Sequence, residues 1–257
     1  MTDNFTSSMS KVEHTVSQIR QLIQTSHAEE HRLPSEPELA RMLVTSRATI
    51  RQALAELEMD GLIYRKHGSG TFINQHILGI HTRLEEVWDF DEMIRLAGYT
   101  PGVRHQELHL EQAGSELVES LSLEPGEEVL STANVFLANE VPVIYCIDVI
   151  PARLVSHAYR EEELHGPVYT FLAERCDQHI DHNITEVRPI VADARLAELL
   201  ECNLGSPLHY FEEIGYNTSH EPVIFSKEYY RPEFFRFKVI RKMTTRHPTH
   251  VDEHPEA

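Results

Sequence analysis

The stretch Leu33–Ile73, LPSEPELARMLVTSRATIRQALAELEMDGLIYRKHGSGTFI, decides how the amino-terminal part of the chain folds. Ser35 followed three residues later by Glu38 has the spacing of a capping box, which satisfies backbone donors that a helix start leaves unpaired. Pro37 falls in the first turn, where its missing N–H costs nothing. The helix is short, with Leu39, Leu43 and Val44 as its apolar face before Thr45 and Ser46 interrupt it. Ser46 is a second N-cap, after which Ile50, Leu54 and Leu57 recur at i, i+4, i+7 along a longer helix. Asp60-Gly61 stops that helix. Leu62–Arg65 is β-like, Lys66–Gly70 a turn and Thr71–Ile73 a returning strand.

Two short helices and a two-stranded ribbon in this order predict a winged helix-turn-helix. Arg47, Thr49 and Arg51 lie at the outward N-terminal part of the second helix, the end that meets base edges in the major groove. Gly68 and Gly70 let the ribbon tip approach a phosphate closely, with Lys66 and His67 beside it. The expected DNA-binding residues are therefore Ser35, Ser46, Arg47, Thr49, Arg51, Lys66, His67, Gly68 and Gly70. Solvated surface charge explains any one of these arginines, but not the joint pattern of caps, paired arginines and glycine wing.

The same residues resemble the GntR family of bacterial repressors, whose pattern is close to L-P-S-E-x-x-L-A, S-R-x-T-[VI]-R-x-A-L, G-L-[IL] and G-x-G-T-[FYV]-[VI]. Pro37 stands where many members carry a base-reading arginine, so the resemblance shifts base reading onto Arg47 and Arg51.

The chain has 257 residues, 41% hydrophobic and 25% charged, a globular composition with room for two domains. The predicted divisions are a disordered start (1–10), the DNA-binding head (11–74), a linker (75–82), a body (83–242) and a disordered tail (243–257). Val12, Val16, Ile19, Leu22 and Ile23 predict an amphipathic scaffold helix from Lys11 to His27. No apolar run is long enough to cross a bilayer and no signal peptide is visible, so a cytoplasmic protein is expected. Cys146, Cys176 and Cys202, an odd and scattered set, are expected to be reduced packing residues. The formal charge of −18 is unevenly placed: residues 1–76 carry eight Lys/Arg against nine Asp/Glu, leaving fifteen against thirty-two beyond. An acidic body repels phosphate and holds nonspecific DNA binding down.

The body contains an internal repeat. Ala113–Leu117 aligns with Ala192–Leu196, and Leu121, Gly126 and Val129 with Leu200, Gly205 and Leu208, at a constant shift of 79 residues. One inserted residue brings Pro142–Ile144 onto Pro222–Ile224 at a shift of 80. Each copy predicts strand, short helix, strand, tight turn, strand, with helices at Asp89–Ala97 and Val168–Asp177 outside the copies. Two copies make an α+β domain on an antiparallel sheet with pseudo-twofold character.

The segments Leu123–Glu127 (LEPGE), Pro142-Val143, Pro151, Gly166–Leu172 (GPVYTFL) and Ser226–Phe235 (SKEYYRPEFF) resemble the UTRA effector-binding domain of the HutC subfamily. That resemblance implies a chorismate-lyase-like fold, a small-molecule effector, and a homodimer whose two heads bind an inverted-repeat operator on double-stranded DNA. It implies no cofactor. Sugar-phosphate sensors of the subfamily place two arginines where this chain has Asn134 and Phe136, and a glutamate where it has Cys146. Without paired guanidinium forks a phosphate dianion would be poorly held.

Asp148 and Glu228 instead occupy matching places in the two repeats. Convergence of the repeats on one pocket would bring these carboxylates together, with Asn134, Ser226, Tyr230 and Arg231 nearby, and would suit an effector bearing an amine or other cation. Solvated strand carboxylates, and an Arg231–Glu233 ion pair, are the plain alternatives. Seventeen histidines raise a metal-responsive alternative, through His105 and His109, His179 and His182, or the tail group His247, His250, Asp252 and His254. Histidines four apart on a strand stand about 13 Å apart, too far to share an ion. An enzyme related to the lyases is a third reading, but no nucleophile–base pair, phosphate loop or metal triad is visible.

Overall fold

A computed structural model describes residues 10–25, 32–75, 83–84, 87 and 89–241. The expectations placed on the first nine residues, most of the linker and the tail histidines lie outside these residues. The chain divides into two compact units, 1–80 with 239–257, and 81–238.

In the first unit, α1 (Lys11–Thr25), α2 (Glu36–Met42) and α3 (Arg47–Met59) precede the ribbon β1 (Ile63–Lys66) and β2 (Gly70–Ile73). Their shared core is Ile19, Ile23, Leu39, Ile50, Leu54, Leu57 and Ile63, the apolar periodicities closing on one another. The Ser35 amide donates to the Glu38 carboxylate at 2.8 Å, and that contact with the Ser35 hydroxyl lowers the Glu38 pKa. The Ser46 hydroxyl accepts from the Thr49 amide at 3.1 Å and caps α3. Val44 departs from expectation: it is 91% exposed, with φ of +50° in the turn between α2 and α3. The apolar face of α2 therefore ends at the half-buried Leu43, and the helical period does not extend into the turn.

The second unit begins with α4 (Phe90–Leu96) and then runs through two copies of one arrangement. The first is β3 (Pro101–Gln112), α5 (Ser115–Ser120), β4 (Glu128–Ala138) and β5 (Val141–Pro151); the second is β6 (Ile180–Val191), α7 (Ala194–Leu199), β7 (Pro207–Asn217) and β8 (Pro222–Tyr230). Between them lie two 3₁₀ segments, Ala152–Leu154 and Glu161–His165, and α6 (Val168–Arg175). The shift of 79 residues extends to backbone detail: Ser122 and Glu201 have φ of +50° and +49°, Gly126 and Gly205 +91° and +79°.

All six strands form one antiparallel sheet in the order β3-β4-β5-β8-β7-β6. The repeats meet along β5 and β8, where Ile147 pairs with Lys227. Those two residues are themselves related by the shift of 80, so the pseudo-twofold axis passes between them. β5 is buried along almost its whole length rather than alternating, because helices cover both faces. α5 and α7 pack against Tyr145 and Val149 on one face, α4 and α6 against Ile144, Cys146 and Ile150 on the other.

A β-branched residue pays about 1–2 kcal/mol for a left-handed backbone, more than glycine loses through its freer unfolded chain. Val44→Gly should therefore stabilise the head by about 1 kcal/mol, seen as a higher urea midpoint with an unchanged slope.

Candidate functional site

Two sites emerge, one in each unit. In the head, Arg47 and Arg51 are exposed at the start of α3, and Arg51 holds a loose contact with Glu36 at 3.2 Å. Thr49 is partly turned in, its hydroxyl 2.8 Å from that of Ser46. At the wing, Tyr64 and Phe72 face each other across the ribbon, and the Lys66 ammonium lies 5.5 and 5.3 Å from their ring centres. This anchors the ammonium near the exposed tip formed by His67, Gly68 and Ser69. Gly70 has φ of +114°, and a Cβ there would come within 2.8 Å of the Arg32 side chain.

Arg32 and Arg41 line the open groove between α2 and the ribbon, together with Ser35, Tyr64 and Lys66. Neither arginine was singled out by motif. Both precede or follow the helix cap that drew attention, and their relevance comes from the folded groove.

In the second unit, the register across β5 and β8 sets Asp148 opposite Ser226 and Cys146 opposite Glu228, all on the sheet face covered by α4 and α6. Asp148 and Glu228 are 5% and 7% exposed and line the same cleft of about 150 Å³. Asp89 and Asp91 from the start of α4 add two more acids, and His165, Phe90, Phe136 and Tyr169 supply imidazole and aromatic walls. A smaller cavity of about 40 Å³ shares Phe90, Tyr169 and Glu228 with the cleft, and is also lined by Tyr230 and Glu213.

Each carboxylate is held in place. Ser226 Oγ donates to Asp148 at 2.6 Å, and the Tyr230 hydroxyl donates to Glu228. Glu213 accepts from Thr185 at 2.5 Å, from Tyr169 at 3.3 Å and from Asn183. These donors do not offset the loss of water. Burial pushes the Asp148 pKa from 3.8 up to about 6. Burial and the neighbouring Glu213 charge push Glu228 well above the usual carboxylate range, and burial raises Glu213. Asp148 lines the cleft, Glu213 lines the smaller cavity together with the buried Arg83, and Glu228 lines both. In the cleft, two buried acids with their charged forms disfavoured make a site that a cation would relieve.

Other sequence candidates are occupied elsewhere. Asn134 is buried, donating to the Leu164 carbonyl at 3.0 Å and meeting His105 Nδ1 at 2.9 Å. Arg231 forks onto Glu233 at 2.6 and 2.8 Å and donates to the carbonyls of Pro142 and Leu200 at 3.1 and 3.2 Å. These groups tie distant segments together, and neither is among the residues that line the cleft or the smaller cavity. The strand histidines are also separated in use, His109 meeting Glu107 at 3.4 Å and His182 meeting Asp181 at 2.9 Å. Cys146, Cys176 and Cys202 are free thiols, the first two buried.

Residues 11–73 match the bacterial regulatory proteins of the gntR family, and residues 96–236 match the UTRA domain. The chain belongs to the GntR family. Its GntR-type head makes it a DNA-binding transcriptional regulator, and the UTRA domain makes it responsive to a small-molecule effector. It is similar to the HTH-type transcriptional repressor NagR of Bacillus subtilis, 28% identical over 80% of this chain and 83% of that one. It is also similar to the histidine utilization repressor of Pseudomonas putida, 30% identical over 74% of this chain and 75% of that one. These GntR relatives are repressors, not enzymes. The fold is shared with the possible transcriptional regulator YydK from Bacillus subtilis, with a TM-score of 0.74 at 22% identity over 91% of this chain and all of that one. No helix among the described residues is long and apolar enough to cross a membrane.

Raising a buried carboxyl from 3.8 to about 6 costs the folded state about 3 kcal/mol at neutral pH. The folded pKa exceeds the unfolded one, so the penalty is absent below about pH 4 and complete above about pH 6. Asp148→Asn, which keeps an acceptor for Ser226, should raise the melting temperature at pH 8. Thermal melts should show that advantage shrinking as the pH falls from 6 to 4.

Proposed function

We propose that this regulator senses a small molecule carrying an amine or other cationic group, bound between the Asp148 and Glu228 carboxylates. The supporting observation is the acidic lining of the cleft, which among the described residues includes no Lys or Arg to receive a phosphate; the cation Arg83 lines the adjoining cavity beside Glu213 and Glu228. Phe90, Phe136 and Tyr169 suit the apolar part of such a guest and add cation–π attraction. A relative named for histidine utilization fits this class, since an amino acid carries an amine. The guest's charge would favour the ionised form of carboxyls that burial disfavours, so its binding energy goes into the body rather than into surface contacts.

In this reading two chains form a homodimer in the cytoplasm and present their heads to an inverted-repeat operator. Each places Arg47, Thr49 and Arg51 in the major groove, with Ser35 and Ser46 at the backbone and Lys66, His67, Gly68 and Gly70 at the wing. Operator affinity changes by the effector's differential affinity for the two states of the dimer.

A thermal-shift screen of amines, amino acids and sugar phosphates tests the effector class. Amines should stabilise the parent and fail to stabilise Glu228→Gln; stabilisation by sugar phosphates alone would reject the assignment. Arg51→Ala should cost about 1–3 kcal/mol on the specific operator while leaving random-sequence binding nearly unchanged, as read by mobility shift.

A further inference from the structure

We infer that the body also carries a binding site for a borderline transition-metal dication of the Zn²⁺ class, formed by His105, His165 and Glu161. One imidazole comes from β3, and the other two groups come from the 3₁₀ segment Glu161–His165. A donor atom from each lies within 4.8 Å of the other two. None of the histidine groupings visible in the sequence is this one, because its members are up to 60 residues apart with no period between them.

Asn134 decides which nitrogen of His105 is available. Its Nδ2 donates to the Leu164 carbonyl at 3.0 Å, so its Oδ1 is the atom facing His105 Nδ1 at 2.9 Å. Nδ1 must then carry the proton, which leaves the Nε2 lone pair free to ligate; a hydrogen bond of this kind on the far nitrogen is what orients metal-binding histidines. That Nε2 lies 3.8 Å from Glu161 Oε1. The His165 ring stacks on His105 with centroids 4.3 Å apart. Its own Nε2 is buried and, among the described residues, has no hydrogen-bond partner. Buried ring nitrogens seldom stay unpaired, and an ion would satisfy this one.

Tetrahedral Zn²⁺ with bonds of about 2.0–2.1 Å sets its ligand atoms about 3.4 Å apart. Rotation of the exposed Glu161 and a modest splay of the two rings would bring the cluster to that spacing. Two imidazoles and one carboxylate leave a fourth position open. His165 also lines the acidic cleft, so a donor atom of a molecule held there can complete the coordination. The site does not depend on the amine assignment, because Asp148 and Glu228 are not among its ligands.

The test titrates the full-length chain, stripped with a chelator, with Zn²⁺ against a chromophoric competitor, and uses Co²⁺ as an optical probe. One equivalent per chain should bind at least tenfold more tightly than any other, and the Co²⁺ form should show the absorption of a four-coordinate site. Glu161→Ala, His105→Gln and His165→Gln should each weaken that equivalent at least tenfold, while His109→Gln and His247→Gln leave it unchanged. Should the imidazole variants melt early when metal-free, Glu161→Ala, an exposed position, decides alone. Absence of a tight equivalent in the parent, or its retention in the Glu161 variant with unaltered affinity and Co²⁺ spectrum, would overturn the proposal.

Discussion

The body is governed by the desolvation of carboxylates at its pseudo-twofold axis. Pairing Ile147 with Lys227 puts the axis on those two residues and forces Asp148 and Glu228 onto the same face, each opposite a small polar or thiol neighbour. A one-residue slip of β8 against β5 would turn Glu228 to the face packed by α5 and α7 and leave Asp148 behind. Register is what makes the cleft acidic. Burial then makes its acids reluctant to ionise, and the apo protein carries that cost. Residues that destabilise a fold at a concave, aromatic-walled cleft are characteristic of a site built for a ligand.

The net charge of the chain takes on a different meaning in this light. The body's excess of acids includes a buried set at the cleft and a solvated remainder along the outer strands. On the proposed function the first would discriminate guests by charge, while the second disfavours approach to a phosphate backbone. Meanwhile the head keeps its cations where the groove and α3 are exposed, with Lys66 oriented by two aromatic rings rather than by a carboxylate. A cation held by ring faces is still free to meet a phosphate.

Much of this was legible in the chain because it is local. Ser35, Ser46 and Asp60-Gly61 mark helix ends by hydrogen-bonding chemistry that acts within three or four residues. The repeat was legible because duplication preserves spacing, and through it the two central carboxylates could be matched before any coordinates. His165 and Asp89 were not, since they reach the cleft from outside the repeats, and Glu213 was not because its counterpart at the shift of 79 is Asn134, an amide. The engagement of Asn134 and, beyond its ion pair with Glu233, of Arg231 was hidden for a different reason: their further partners include main-chain carbonyls of Leu164, Pro142 and Leu200, and a backbone acceptor leaves no mark on sequence. Val44 shows the limit of periodicity, which counts an apolar residue toward a helix whose backbone has already turned.

The most direct measurement is the proton balance of effector binding, obtained by titration calorimetry of one stabilising amine at pH 6 in buffers of different ionisation enthalpy. If the guest's charge lowers carboxyl pKa values that burial has raised, binding releases protons, and the release falls in Glu228→Gln. Binding with no proton release in the parent, or with the same release in that variant, would contradict the claim that these buried acids are the sensor.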